Sequence, residues 1–137
     1  MPAIAALVRD AYAIYVPRIG RQPAPVTADH AGLVAAGRTS VVELDGDIAG
    51  VIVLIPAADH LLVENVAVAP AMQGRGIGRA LMTHAEERAA ELGLDELRLY
   101  TNQLMTENLA LYPALGYVET GRRVEDGFAR VYFSKRI

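Results

Sequence analysis

The feature that most constrains this chain is a stretch from residue 61 to residue 101 in which the hydrophobic period changes twice. Leu61–Val68 is a short apolar run bounded by turn residues, which is typical of a strand. Over residues 76–92 apolar side chains recur every three or four positions, which predicts a helix, and Gly93 follows where helices commonly end. Residues 96–101 alternate as a strand does. This order predicts a strand-helix-strand crossover within one sheet.

The flanking patterns extend the same sheet with two hairpins. Gly46 supplies the positive backbone angle that a tight turn between residues 41–44 and 48–55 requires. We therefore predict a mixed α/β fold, a mostly antiparallel central sheet with helices on both faces. The other predicted elements are helices at 4–15, 32–36 (with Thr27 as its cap) and 105–115, a loop at 18–27, and strands at 116–121 and 128–133 joined by a turn at 122–126.

Composition narrows the functional classes. At 137 residues the chain is the size of one domain, so we predict a single domain over 1–137. The absence of cysteine excludes thiol nucleophiles and Cys-ligated zinc, and it fits a reducing cytoplasm, where we expect the protein to be located. A net charge of -3 argues against nucleic acid as a partner, and the apolar runs are too short for a membrane span. The histidines lack metal-ligand spacing, so no metal is expected.

The turn between the first strand and the helix of the crossover is rich in glycine. Gly74, Gly76 and Gly78 alternate at the start of the helix, where the first backbone N–H groups have no partner inside the helix. These groups and the helix dipole attract an anion, and glycine lets phosphate oxygens approach the backbone. Arg75 and Arg79 add positive charge. The turn therefore predicts a phosphate site; a turn that merely starts a helix is the alternative.

The spacing of these glycines narrows the kind of phosphate ligand. It is neither the G-x-G-x-x-G of dinucleotide-binding folds nor a P-loop, which needs a following Gly-Lys-Ser/Thr. The string V-x-P-x-x-Q-G-x-G-I-G-x-x-L over residues 68–81 resembles the acyl-CoA signature of the GNAT superfamily of N-acetyltransferases. This resemblance implies that the CoA pyrophosphate is held by Gln73, Gly74, Arg75, Gly76, Ile77, Gly78 and Arg79, and that backbone groups of Val66, Ala67 and Val68 meet the pantetheine arm.

A second motif follows about thirty residues later. Asn108, Tyr112 and Gly116-Tyr117 are similar to the family's N-x-x-A-x-x-x-Y-x-x-x-G-F/Y pattern, shifted so that Tyr112 follows Asn108 by four residues on one helix face. The resemblance implies that Asn108 contacts the pantetheine arm or a neighbouring water, and that the Tyr112 hydroxyl protonates the departing thiolate. Without the motif, Tyr112 would be interpreted as a core aromatic residue. Tyr117 is expected in the core.

Acetyl transfer to an amine also requires a base, because an aliphatic amine with a pKa of about 10.4 is almost fully protonated at neutral pH. Glu64 is the one charged residue within Leu61–Val68. The resemblance implies a base at this position, acting directly or through water, as in polyamine acetyltransferases of the family. If Glu64 faces the cleft, desolvation would raise its pKa toward a useful value. An outward or substrate-orienting Glu64 is the alternative.

The N-terminal part of the chain is less determined by pattern. The resemblance implies that Tyr12, Tyr15 and Arg18 help to shape the acceptor pocket, whereas an aromatic stripe packed on the sheet would explain the tyrosines equally well. The family usually opens with a strand, and here Met1-Pro2 leads directly into a helix. The first edge strand is therefore expected to be missing, either because it is absent by nature or because Met1 lies downstream of the true start. If the strand is absent, we expect the exposed edge to be covered by a loop, a partner or a homodimer.

These features together predict an acetyl-CoA-dependent N-acetyltransferase. Acetyl-CoA is the expected acyl donor, and the acceptor is expected to be a primary amine of a small molecule or peptide. Direct attack is predicted, with Tyr112 and Glu64 as the catalytic pair, because the chain has no cysteine to carry a covalent intermediate. A non-catalytic acyl-CoA-binding or sensing module is the alternative, and a purely structural domain is less favoured.

Overall fold

The computed structural model describes residues 2–19, 30–125 and 127–137. Single 3-10 turns lie at Ala13–Tyr15 and Pro70–Met72. The helices are α1 (Pro2–Tyr12), α2 (Val16–Ile19), α3 (His30–Ala35), α4 (Ile77–Glu91) and α5 (Thr106–Ala114). The strands are β1 (Thr39–Leu44), β2 (Asp47–Pro56), β3 (Leu61–Val68), β4 (Glu96–Asn102), β5 (Val118–Glu125) and β6 (Phe128–Arg136).

Within the described ranges, the strands form one six-stranded sheet in the order β1-β2-β3-β4-β6-β5. Only β3 and β4 run parallel, and α4 connects them as the predicted crossover. The positive φ angles of Asp45 and Gly46, 53° and 84°, make the predicted turn between β1 and β2. Gly93, with φ 73°, follows the end of α4, where the Leu94 N–H donates to the Ala89 carbonyl at 2.8 Å. The mixed, mostly antiparallel fold class is confirmed.

The largest error of the sequence prediction concerns β5. Residues 122–125 were predicted as a turn, but they continue the strand, and Arg122 and Arg123 pair with Val131 and Arg130 of β6. The prediction failed because β5 is exposed along most of its length and carries no apolar alternation. Arg18, placed in a loop by sequence, lies in α2; most of the predicted loop and the Thr27 cap lie outside the described residues.

Helices cover both faces of the sheet. α4 packs closely against Gly50 of β2, since a Cβ built there would lie 2.8 Å from Ile77 Cγ2. The buried side chains that pack α4 on one face are Ile77, Leu81, Met82, Ala85 and Ala89, and those that pack α1 on the other are Ile4, Leu7 and Val8. Burying a large aliphatic side chain contributes about 1.5–3 kcal/mol, so these contacts hold α4 and α1 firmly against the sheet.

The described ranges contain neither a helix with the length and apolarity to cross a bilayer nor a group of three or more His, Asp or Glu placed to hold a metal ion. In the same ranges α1 is the first element, and β1 forms the sheet edge opposite β5.

Candidate active site

The site begins where β3 and β4 separate. These parallel strands pair at only three positions, Leu61 with Leu97, Leu62 with Arg98 and Val63 with Leu99. Beyond them, residues 64–68 and 100–102 run on without pairing to each other. A crevice therefore opens in the middle of the sheet at the carboxyl ends of its two parallel strands, where α/β sheets commonly bind ligands.

Glu64 is the extra residue of a β-bulge. Val53 of β2 pairs with Asn65 and Leu54 pairs with Val63, so the pairing of β2 with β3 skips Glu64. The bulge reverses the alternation along the strand: Leu61 and Val63 face the core under α4 before it, and Val66 and Val68 do so after it. Bulges are common beside active sites because they redirect a side chain, and here the redirected side chain is a carboxylate.

The Glu64 carboxylate lies in a cleft of about 560 Å³, named the Glu64 cleft. Its Oε1 accepts a hydrogen bond from the Tyr100 hydroxyl at 3.4 Å. Burial raises the pKa of Glu64, while the Tyr100 hydrogen bond and the charge of Arg130 act in the opposite direction. The lining residues are Tyr12, Val63, Glu64, Asn65, Val66, Leu99, Tyr100, Thr101, Asn102, Met105, Asn108, Tyr112, Phe128 and Arg130.

Tyr12 attaches α1 to the rim of the crevice. Its hydroxyl donates to Asn65 Oδ1 at 2.9 Å and lies 3.3 Å from the Val66 carbonyl oxygen. Asn65 is buried, and its amide oxygen is satisfied by this bond. The contact fixes the position of α1 relative to the unpaired part of β3.

A second opening, named the α4 groove, lies on the helix side of β3 and has a volume of about 1000 Å³. The N-cap of α4, Gly76, has φ 78° and makes no side-chain cap hydrogen bond. Gly74 has φ 82°, and a Cβ at either glycine would meet nothing within 4 Å. The first N–H groups of α4 are therefore open to an anion. The groove is lined by Ala11, Tyr12, Val66, Ala67, Val68, Gln73, Gly78, Arg79, Met82, Asn108, Leu111, Tyr112 and Leu115.

The α5 motif residues stand between the two openings. Asn108 Nδ2 donates to Thr101 Oγ1 at 3.1 Å, which joins α5 to the end of β4. Tyr112 is buried, with its ring 5.8 Å from the rings of both Tyr117 and Phe133. Asn108 and Tyr112 line both the Glu64 cleft and the α4 groove. They therefore lie where ligands in the two openings would meet.

The family model for the acetyltransferase (GNAT) family matches residues 4–117, which is most of the chain. The chain belongs to the GNAT family of acetyltransferases.

Individual GNAT proteins resemble the chain over part or most of its length. The streptothricin acetyltransferase of Streptomyces lavendulae is 37% identical over 90 residues, covering 64% of this chain and 48% of that protein. The structure of nourseothricin acetyltransferase superposes with TM-score 0.66 and 32% identity, over 72% of this chain and 64% of that one. A GNAT acetyltransferase from Elizabethkingia anophelis, solved with acetyl-CoA bound, shares the fold at TM-score 0.64 and 20% identity, over 85% and 92%. The chain spans about half the length of its Streptomyces relative.

The residues predicted from sequence to bind CoA differ in their position relative to the α4 groove. Gln73, Gly78 and Arg79 line the α4 groove together with the three β3 residues, Val66, Ala67 and Val68. Gly74, Arg75 and Gly76 are exposed in the turn beside it. The Ile77 side chain is buried under the sheet, so only its backbone can meet a ligand. The side chains of Tyr15 and Arg18 lie outside what the structure describes.

Sequence reasoning missed three site residues, Asn65, Tyr100 and Arg130. Arg130 enters the cleft because β6 pairs with β4, which sets it opposite Asn102. No local motif marks this pairing. The one available signal was the polar pair Glu64-Asn65 in the middle of Leu61–Val68, together with the polar residues that end the predicted strand at 96–101.

Proposed function

We propose that this GNAT chain is an acetyl-CoA-dependent N-acetyltransferase that acts on a primary amine by direct attack. One observation carries the proposal: the α4 groove and the Glu64 cleft adjoin at four shared lining residues, Tyr12, Val66, Asn108 and Tyr112. A donor in the groove and an acceptor in the cleft would thus meet beside the motif tyrosine.

The α4 groove suits acetyl-CoA. The uncapped start of α4, the open turn at Gly74 and Gly76, and the exposed guanidinium of Arg79 offer backbone N–H groups and positive charge to the pyrophosphate. The last residues of β3, Val66 to Val68, are unpaired toward β4 and offer backbone groups to the pantetheine arm. A backbone N–H near Val68 would polarise the thioester carbonyl.

The proposed reaction forms one C–N bond and breaks one C–S bond. The neutral amine attacks the thioester carbonyl carbon, and its proton passes to Glu64, directly or through water. When the tetrahedral intermediate collapses, the Tyr112 hydroxyl protonates the CoA sulfur. The raised pKa of Glu64 supports the base role, because a carboxyl with such a pKa accepts a proton more readily.

The proposal is tested by measuring the release of free CoA thiol with a panel of amines: polyamines, amino acids, aminoglycosides, peptide N-termini and streptothricin. Streptothricin is included because the chain is similar to a streptothricin acetyltransferase.

Tyr112→Phe should lower kcat by about 100-fold, which is the lower range for a proton-transfer group, while its affinity for CoA stays within a few-fold of that of the unmodified chain. Tyr117→Phe is the matched control. The Tyr117 hydroxyl is buried without a hydrogen-bond partner among the described residues, so its removal should leave kcat unchanged.

Two outcomes would count against the proposal. Thiol release that is equal in the Tyr112→Phe variant and in the unmodified chain would remove Tyr112 from the acid role. Binding of acetyl-CoA without thiol release for any acceptor would favour the non-catalytic acyl-CoA-binding module.

A further inference from the structure

Arg130 is a buried cation in the floor of the Glu64 cleft. The residue is 8% exposed, whereas arginine is rarely so buried unless it has a partner or a ligand. Of the cleft residues within 2–19, 30–125 and 127–137, Arg130 is the one cation and Glu64 the one carboxylate. The described wall of the cleft therefore presents one charge of each sign.

The surroundings of Arg130 hold its guanidinium in a fixed plane. It stacks 4.4 Å from the ring centre of Tyr100, which is a favourable cation–π distance. Its Nη1 donates to Glu125 Oε2 at 3.4 Å. Glu125 also accepts a hydrogen bond from Tyr132 and pairs with Arg123 at 3.4 Å, so it divides its charge among three partners. Arg130 is therefore positioned by its stacking on Tyr100 and by its hydrogen bonds to Glu125 and Tyr132.

We propose that Arg130 binds a carboxylate of the acceptor, so that the substrate is a small amine that also carries a carboxylate. The inference rests on the function proposed above. A planar guanidinium presents parallel N–H donors that match the two oxygens of a carboxylate, and the stacking on Tyr100 orients them. The amine end of the same molecule is directed to Glu64.

The test compares acceptors that differ only in this group: free amino acids and their carboxamides, each assayed for kcat/KM. The unmodified chain should prefer the carboxylate by about tenfold or more, as expected for a hydrogen bond between charged groups. Arg130→Met should abolish the preference, and Arg130→Lys, which keeps the charge without the planar fork, should restore part of it. Thermal unfolding of each variant checks that it is folded. If Arg130→Met does not fold, the preference for the carboxylate is compared between Arg130→Lys and the unmodified chain.

Arg122→Met is the matched control for this experiment. Arg122 lies on the neighbouring strand β5, pairs with Glu119 at 3.1 Å and does not line the Glu64 cleft. The same arginine-to-methionine change there should leave the ratio between carboxylate and carboxamide unchanged. A change of the ratio in both variants would indicate a long-range charge effect and overturn the inference.

The remaining outcomes separate this inference from the proposed function. Acetylation of both members of each pair at equal kcat/KM leaves the acetyltransferase proposal standing and overturns carboxylate recognition. An equal loss on both members in Arg130→Met means that Arg130 only balances Glu64, which also overturns it. If no acceptor is acetylated, the same pairs are titrated by calorimetry into the protein with and without CoA. Selective carboxylate binding that disappears in Arg130→Met then supports the inference, and its absence contradicts it.

Discussion

Glu64 differs from an ordinary strand carboxylate in both geometry and charge. The bulge turns it into the cleft, and the loss of solvent there raises its pKa above the ordinary value. The Tyr100 hydrogen bond and the charge of Arg130 act in the opposite direction and limit that rise. Tyr100 thus contacts the proposed base directly, and both neighbours tune its proton affinity.

We predict that Glu64→Gln lowers kcat by about 100-fold or more and removes the acid limb of the pH profile of kcat/KM, because a base must be deprotonated to act. The measurement is the rate of thiol release across pH with saturating acetyl-CoA. Glu119→Gln, an exposed carboxylate paired with Arg122 on β5, is the control and should keep the limb. A limb that persists in Glu64→Gln would assign Glu64 to orienting the substrate.

Glu64 should also make folding stability depend on pH. Its folded pKa is raised, so the folded chain binds the proton more tightly than the unfolded chain does. The stabilisation is therefore present below the unfolded pKa and is lost as pH rises through the raised one. The carboxylates with lowered pKa values, Asp59, Glu96, Glu119 and Glu125, act in the opposite direction but are present in both proteins. Urea unfolding should therefore show the unmodified chain losing stability relative to Glu64→Gln as the pH rises.

Local motifs allowed part of the site to be predicted from sequence. The glycine turn, Asn108 and Tyr112 lie within short sequence motifs that can be recognised without knowing the fold. Arg130 and Tyr100 could not be found in this way, because they meet only through the pairing of β4 with β6. The orientation of Glu64 depends on the bulge, which a strictly alternating interpretation of β3 misses.

At the level of the elements, hydrophobic period predicted most helices and strands, because the sheet is buried and its helices have one apolar side. The main exception was β5, which lies at an edge, has few buried residues and so carries little apolar pattern. How the elements pack against each other was less predictable from the sequence than whether each is a helix or a strand. The close contact of α4 with β2 depends on Gly50, and nothing around that glycine in the sequence marks it.

Gly50→Ala should destabilise the chain by about 1–3 kcal/mol, because the added methyl group would overlap Ile77 and Leu81. Since Ile77 begins α4, the displaced helix should also bind CoA less tightly. Gly121→Ala in β5 is the control: the same change meets no atom within 4 Å and should alter stability by no more than about 0.5 kcal/mol. Urea unfolding and CoA titration measure both effects; equal stability of the two variants would refute the close-packing argument.

On the scale of the whole molecule, the proposed CoA site joins elements that are distant in the sequence: β3, α4 and α5. A ligand that binds only the folded state stabilises it by about 2.7 kcal/mol at one hundred times its Kd. We therefore predict that CoA raises the free energy of unfolding by about this amount at that concentration. Pantetheine, which lacks the pyrophosphate, should stabilise less at equal concentration. Equal effects of the two compounds would argue against the glycine turn as the phosphate site.

The short contact between β3 and β4 also has a consequence for how the chain opens. Three residue pairs join one half of the sheet, β1-β2-β3, to the other half, β4-β6-β5, while each half keeps its own antiparallel hydrogen bonds. Separation of the halves therefore breaks few hydrogen bonds and needs no strand to unravel. In hydrogen–deuterium exchange, the amides at this junction should exchange before those inside either half.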